Sequence, residues 1–422
     1  MIQTPLARAV AIATLGACCA LPTVAHAEFF KDSKATIEAR NFYFNRDLRD
    51  TTSAQQSKRE EWAQGFIVKA ESGFTEGTVG FGLDAYAGLG LKLDSSADRT
   101  GSGLLPGAIG TEAPDDYSEA TATAKVRISK TIGKIGGLTP KLPTISANDS
   151  RLLPQTFLGG HINSQEIAGL NIDGGVIKEQ NQRDSSNFED LSINGGGKRN
   201  FNLGGSEADD FNFAGVSYKW TDNLTTGYNY GELEEIYKQH IVNLVHVLPI
   251  GDKQSLKTDL RYARSTDDGN TNVDNNAFGA MFTYALGSSS FGLGYQSMSG
   301  DTGYAYINGT DPFLVNYVQI GDFANKDEKS WQARFDYNFA GLGVPGLTFM
   351  TRYISGDNID QLSAATDEDG KEWERNTDIA YVFQDGPLKN LGVKWRNATV
   401  RNNFANDMDE NRLIVSYTLA LQ

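Results

Sequence analysis

The chain has little cysteine, little histidine, a minority of basic residues and, beyond its first twenty or so positions, no long apolar run. Its two cysteines, Cys18 and Cys19, lie side by side near the start. A chain cleaved after Ala27 carries no thiol, so disulfides cannot hold it together. About 18 consecutive apolar residues are needed for a helix to span a bilayer, and none follow the leader, so no spanning helix is expected. With 38 Lys and Arg against 53 Asp and Glu, the formal charge is −15. That balance argues against nucleic acid as a partner, because a phosphate backbone is met by clustered bases.

The first 27 residues read as a secretory signal peptide. Arg8 gives a positive start, Ala9 to Ala20 is mostly apolar, and Ala25-His26-Ala27 is a small-x-small cleavage site. A competing reading takes Leu15-Gly16-Ala17-Cys18 as a lipobox. Cleavage at Ala27 divides the chain into a leader, 1–27, and one domain, 28–422; the 38 bases become 37 against 53 acids, a formal charge of −16.

What is abundant is alternation. In the segment from Thr78 to Lys92, residues Val79, Phe81, Leu83, Ala85, Ala87, Leu89 and Leu91 share one parity, against Gly80, Gly82, Asp84, Tyr86, Gly88 and Gly90 on the other. Trp331, Ala333, Phe335, Tyr337 and Phe339 repeat the pattern against Gln332, Arg334, Asp336 and Asn338. A period of two makes strands with one apolar and one polar face. Lipid on the apolar face and water on the other explains both the negative mean hydropathy and the absence of disulfides, because a closed sheet satisfies its own backbone.

Connectors alternate in length. Brief links near 73–77, 221–223, 250–252, 287–289, 340–346 and 385–387 separate long polar segments at 94–116, 179–208, 300–326 and 357–371. Short turns on one rim and long loops on the other describe an all-β transmembrane barrel with periplasmic turns and extracellular loops. Strands are predicted over 34–46, 60–73, 77–93, 117–130, 137–146, 152–160, 165–178, 209–220, 223–232, 234–249, 253–267, 274–287, 289–299, 327–340, 344–356, 373–384, 388–400 and 408–422. That is eighteen, with sixteen as the alternative. An even number leaves both ends in the periplasm. Pro140, Pro143 and Pro154 weaken the pattern over 137–178, and 146–152 is read as a loop folded into the lumen.

The parity opposite the apolar face lines the bore. It carries Arg40, Lys69, Lys125, Arg127, Lys257, Arg261, Arg334, Arg352, Lys394, Arg396 and Arg412, against Glu38, Glu71, Asp84, Asp259, Asp336 and Asp378, a net +5. A cationic lining in a narrow aqueous bore concentrates anions. Charges also pair on neighbouring strands simply to fill a barrel, so several of these bases are expected to be structural.

No catalytic constellation emerges. His161, His240 and His246 form no metal-ligand spacing, no nucleophile-elbow serine is present, and the acidic turns Asp267-Asp268-Gly269-Asn270 and Asp367-Glu368-Asp369-Gly370 fall short of a calcium loop. Neither cofactor nor metal is expected. A barrel enzyme would need a convergent acid–base set that these residues do not supply.

Several stretches resemble the OprD family of specific porins, the outer-membrane carboxylate channels of pseudomonads and relatives. They are Asp32-Ser33-Lys34 with Ala39 to Asp47, Glu61 to Phe66 with Glu71 to Ala85, Asp149 to Phe157, Arg396 to Arg401, and Asp409 to Tyr417. The resemblance implies an eighteen-stranded barrel narrowed by inward-folded loops. It also implies passive uptake of amino acids, aromatic acids or other small carboxylates along a ladder of bases. Carried onto this sequence, the ladder uses Arg40, Arg127, Lys394, Arg396 and Arg412, with Arg151 at the constriction; Arg334 and Arg352 join it by parity. Glu38, Asp84 and Asp336 are expected to face it across the bore. Outer-membrane lipid, lipopolysaccharide and the barrel-assembly machinery are the expected partners, and the pore is monomeric or loosely trimeric.

Overall fold

The computed structural model describes residues 26–52, 55–195, 199–203, 207–360 and 369–421. Most of the predicted leader, and Asp367 and Glu368 of the second acidic turn, lie outside the described residues. A short helix, His26–Lys31, precedes the sheet.

Eighteen strands close on themselves. They are β1 (Lys34–Leu48), β2 (Lys58–Glu71), β3 (Val79–Asp94), β4 (Asp116–Ile128), β5 (Thr131–Leu138), β6 (Thr156–Ser164), β7 (Leu170–Asn181), β8 (Phe211–Thr221) and β9 (Leu224–Leu233). Then come β10 (Tyr237–Gly251), β11 (Gln254–Asp267), β12 (Asp274–Leu286), β13 (Ser289–Ser299), β14 (Lys329–Asn338), β15 (Leu347–Ile359), β16 (Gly370–Val382), β17 (Gly392–Asn402) and β18 (Met408–Ala420). Each pairs antiparallel with the next, and β18 returns to β1, where Arg40 lies opposite both Gly65 and Ser416. The rim holding both chain ends carries the short periplasmic turns, such as 222–223, 252–253 and 287–288; the long connections 95–115, 139–155, 182–210 and 300–328 all belong to the extracellular rim.

Three predicted strands need correction. In place of 137–146, 152–160 and 165–178 stand β5, β6 and β7, and the loop read at 146–152 is the whole connection 139–155. A two-residue turn at Ser129-Lys130, with Ser129 at positive φ, ends β4 early and starts β5 in a glycine-rich stretch where alternation is faint. Pro140 and Pro143 flank the first strand of a small inward hairpin, Lys141–Leu142 paired with Ile145–Ser146.

The outer face is apolar and exposed, as at Phe81, Ile135, Ile162, Phe282, Phe291, Leu293 and Leu413. Aromatic rings mark both rims. Trp331, Tyr353 and Trp373 pack near the extracellular rim at 5.6 Å centroid spacing, and Phe335, Tyr337 and Phe339 pack toward the periplasmic one. Such girdles sit at the two membrane–water interfaces.

The buried residues lie inside, where the long loops fold into the lumen. Leu104, Leu105, Leu152 and Leu153 pack against Phe42, Phe44 and Ile67, while Tyr304, Tyr306 and Leu314 pack against Ile241, Ala263 and Ala277. Gly90 makes room for one of these contacts. A Cβ there would sit inside the ring of its cross-strand neighbour Tyr117, whose hydroxyl donates to the carbonyls of Leu104 (3.1 Å) and Arg183 (3.2 Å). Gly90→Val is therefore expected to expel the ring and loosen two loops, at a cost of about 1–3 kcal/mol. The check is the temperature at which the barrel loses its compact gel migration.

Candidate functional site

The loops meet at mid-bore in a polar knot. Asn148 donates to the Asp311 carboxylate (2.5 Å), to which the Tyr317 hydroxyl also donates (2.9 Å), and Arg183 donates to Asn148 Oδ1 (2.9 Å) and Ser150 Oγ (2.8 Å). Burial raises the pKa of Asp311, against the pull of the Tyr317 hydrogen bond. Four connections are tied together here, because Arg151 Nε also reaches the Ser102 carbonyl at 2.9 Å.

Three of the predicted track residues belong to this knot. Arg40 is shared between Glu38 (2.9 Å), Asp149 (2.7 Å) and the Arg151 carbonyl (2.9 Å). Arg412, almost fully buried, is paired with Glu410 (2.6 Å) and donates to the carbonyls of Gln319 and Ser150. The guanidiniums of Arg46, Arg151 and Arg412 all lie 5.1–5.6 Å from the Phe44 ring, within cation–π range. Burial, and then the nearby guanidiniums of Arg412 and Arg183, lower the pKa of Arg151; its cation is held by backbone carbonyls and that ring. These bases staple the constriction.

Below the knot, one wall is basic. Antiparallel pairing preserves parity, so inward residues become cross-strand neighbours, and Lys257, Thr283, Gly292, Arg334, Arg352 and Asn376 form one row from β11 to β16. Gly292 leaves space that the tip of Met281 fills and Arg334 borders. The next row places Asp378 opposite Arg396, and Arg396 opposite Arg412. Arg334 is chelated by Asp336 through two 2.7 Å bonds, Arg352 donates to Asn376 (2.7 Å), and Lys394 and Arg396 share Asp378 at 3.1 Å. Among the described residues Lys257 has no partner. Arg261, held by Asp259, lies 4.0 Å over the Phe313 ring from the loop above.

Two connected spaces follow this wall. One, about 540 Å³, is lined by Lys257, Arg261, Arg334 and Arg352 under Leu314 and Tyr317 of the constriction loop. The other, about 510 Å³, shares Arg334 and Asp336 and continues past Asp378 and Lys394 to Ser288 and Ala340 at the periplasmic turns.

The geometry revises several expectations. Arg127 is not on this wall: it stacks on Phe74 at 4.5 Å beside Lys125, on β4. Glu38, Asp84 and Asp336 do not face the track across the bore; they pair with Arg40, with Lys125 (2.5 Å), and with Arg334. The same parity also brings in the acids Glu61, Glu119, Asp173, Glu372, Glu374 and Glu410, all buried, and the bases Arg46, Arg59, Lys92 and Lys134, none of which the first count included. Several of these acids are locked under loops, as when Glu374 accepts from the backbone N–H of Ile320 (3.1 Å) and Gly321 (2.7 Å). Their alternation, as in Glu372, Glu374, Asn376 and Asp378, was readable in the sequence. The loop residues Arg183, Asp311 and Tyr317 gave no such signal. At the first acidic turn, Asp268 is taken up by Lys238 and the Glu235 N–H (3.1 Å).

Comparison with known proteins agrees with this architecture. The profile of outer membrane porins of the OprD family matches residues 27–421. Porin D of Pseudomonas aeruginosa is 39% identical over 418 residues, covering 93% of this chain and 92% of its own length. Among solved structures, OpdQ of Pseudomonas aeruginosa is 66% identical with a TM-score of 0.87, covering 94% of this chain and all of its own. OpdK of the same organism, solved with vanillate, is 37% identical with a TM-score of 0.85, over 93% of this chain and all of its own. An eighteen-stranded barrel narrowed by its own loops, matched end to end by porin sequences and structures, places this chain in the OprD family of outer-membrane porins.

Proposed function

We propose that the chain is a substrate-specific porin for the passive uptake of small carboxylate-containing solutes, guided by the basic wall. The observation that carries this reading is the row of Lys257, Arg334 and Arg352, continued by Arg396 and Lys394, between the constriction loop and the periplasmic turns. Most of the strand acids are buried, whereas Lys257, Arg334 and Lys394 present themselves to water. The field met by a solute is therefore basic. Vanillate, with which OpdK was crystallised, is itself a small carboxylate and accords with this.

In this reading the surroundings are outer-membrane lipid and lipopolysaccharide, insertion is by the barrel-assembly machinery, and each chain holds its own pore, alone or in a loose trimer. Residues 1–27 are the export signal.

Single-channel recording in a planar bilayer tests the proposal. The expected result is a small, anion-preferring conductance interrupted by small carboxylates such as benzoate. The preference fades as salt rises toward 1 M, where the screening length falls to about 3 Å. A cation-preferring channel at low salt overturns the reading.

A further inference from the structure

On the opposite wall a third cavity, of about 400 Å³, is walled by β2 to β8 and roofed by the start of the 139–155 connection. Its lining differs in kind from the basic wall. Lys125, Lys134, His161, Gly175 and Phe213 form a cross-strand row. Gly175 is bare, and the Phe213 ring lies over it where a Cβ would collide. Beside that ring stand Ile177, Leu138 and Leu142, and the His161 ring is 5.6 Å away, its Nε2 held by Asp173 at 2.9 Å. One side of the chamber is thus apolar and aromatic.

The other side carries charge of both signs. Lys69 and Glu71 are two apart on β2, point the same way and are exposed within the bore. Among the described residues neither has a partner. By contrast Asp84 is taken by Lys125 (2.5 Å), and Lys141 by the Ala147 carbonyl. Lys134 stands 3.8 Å from Asp84, a loose contact that leaves its donors available. Same-face neighbours on a strand are about 7 Å apart. That spacing suits a solute whose carboxylate and ammonium groups sit on one carbon, each with a hydrogen bond to spare.

The geometry points to this chamber as a second solute site, separate from the basic wall, that takes a zwitterionic α-amino acid with an aromatic side chain. The carboxylate meets Lys69 and Lys134, the ammonium meets Glu71, and the ring packs against the edge of Phe213 and against Leu142. This rests on the channel being a carboxylate porin, and gives the ammonium group of an amino acid a partner that a wall of bases does not supply.

The test compares L-phenylalanine with benzoate on single channels of the purified full-length barrel. L-phenylalanine is expected to interrupt the native current, with residence times cut about tenfold in Glu71→Gln and several-fold in Phe213→Ala, while benzoate interruptions keep their length in both. Glu71 is exposed and unpaired, so its variant keeps the fold even if Phe213→Ala does not. If L-phenylalanine leaves the native current uninterrupted, or Glu71→Gln changes neither solute or both alike, the chamber is no such site. If benzoate is the one that fails on the native channel, it is the basic-wall reading that falls.

Discussion

Glu410→Ala is expected to destabilise the barrel by about 3–5 kcal/mol and to widen and unsettle its conductance at the same time. Glu410 is fully buried between Arg46 (2.5 Å) and Arg412 (2.6 Å) and accepts from Gln319 of the constriction loop (3.0 Å). Removing it leaves two guanidiniums packed around Phe44 with no counter-charge and frees Gln319. The readouts are a lower temperature for loss of compact gel migration and a larger, noisier single-channel current. Deleting Arg412 as well should cost less than the two single losses summed, since the second substitution removes one of the stranded charges. A Glu410→Ala barrel as stable and as quiet as the native one would mean that the loop is held by its apolar contacts alone.

The second large effect concerns selectivity. Arg334→Ala with Arg352→Ala is expected to abolish anion preference at 0.1 M salt and to shorten benzoate interruptions by at least tenfold. Arg334 neutralises Asp336 through two bonds, so its loss removes a cation and uncovers an anion in the same cavity. Arg352 spends one bond on Asn376, a neutral partner, and its charge is otherwise offered to the lumen. Unit charges 4 Å apart interact by about 4 kcal/mol at an effective dielectric of 20, against about 1 in bulk water, so two charges in a narrow bore outweigh many at its mouths. The reversal potential under a salt gradient reads the change directly. An unchanged reversal potential would place the selectivity filter elsewhere.

Most of the barrel was readable because a membrane strand writes its environment into a period of two. Val79 to Leu91 and Trp331 to Phe339 need only lipid on one side and water on the other, a constraint local to each strand. The reading failed at β5 to β7, where Gly133, Gly136 and Gly137 erase the alternation and the prolines belong to a hairpin hidden inside the bore. Parity found the basic wall for the same local reason. It could not tell a base that guides solute from one that fastens a loop. Arg412 and Arg396 are cross-strand neighbours of like parity, yet Arg412 is buried beneath Gln319 while Arg396 keeps partial exposure beside Asp378. What separates them is contact with residues about a hundred positions away, which no pattern within a strand records.

The pairing of Arg334 with Arg352 also sets a stride. Neighbouring strands lie about 4.8 Å apart, a distance dictated by backbone hydrogen bonding and not by side chains. If the proposed function holds, two guanidiniums on adjacent strands can therefore grip one carboxylate together, and the solute is passed on before it is let go. Because strands in a barrel tilt, such a row runs obliquely, and a solute following it would turn as it descends. Changes of side chain alter how firmly each rung holds; the length of the step is built into the sheet.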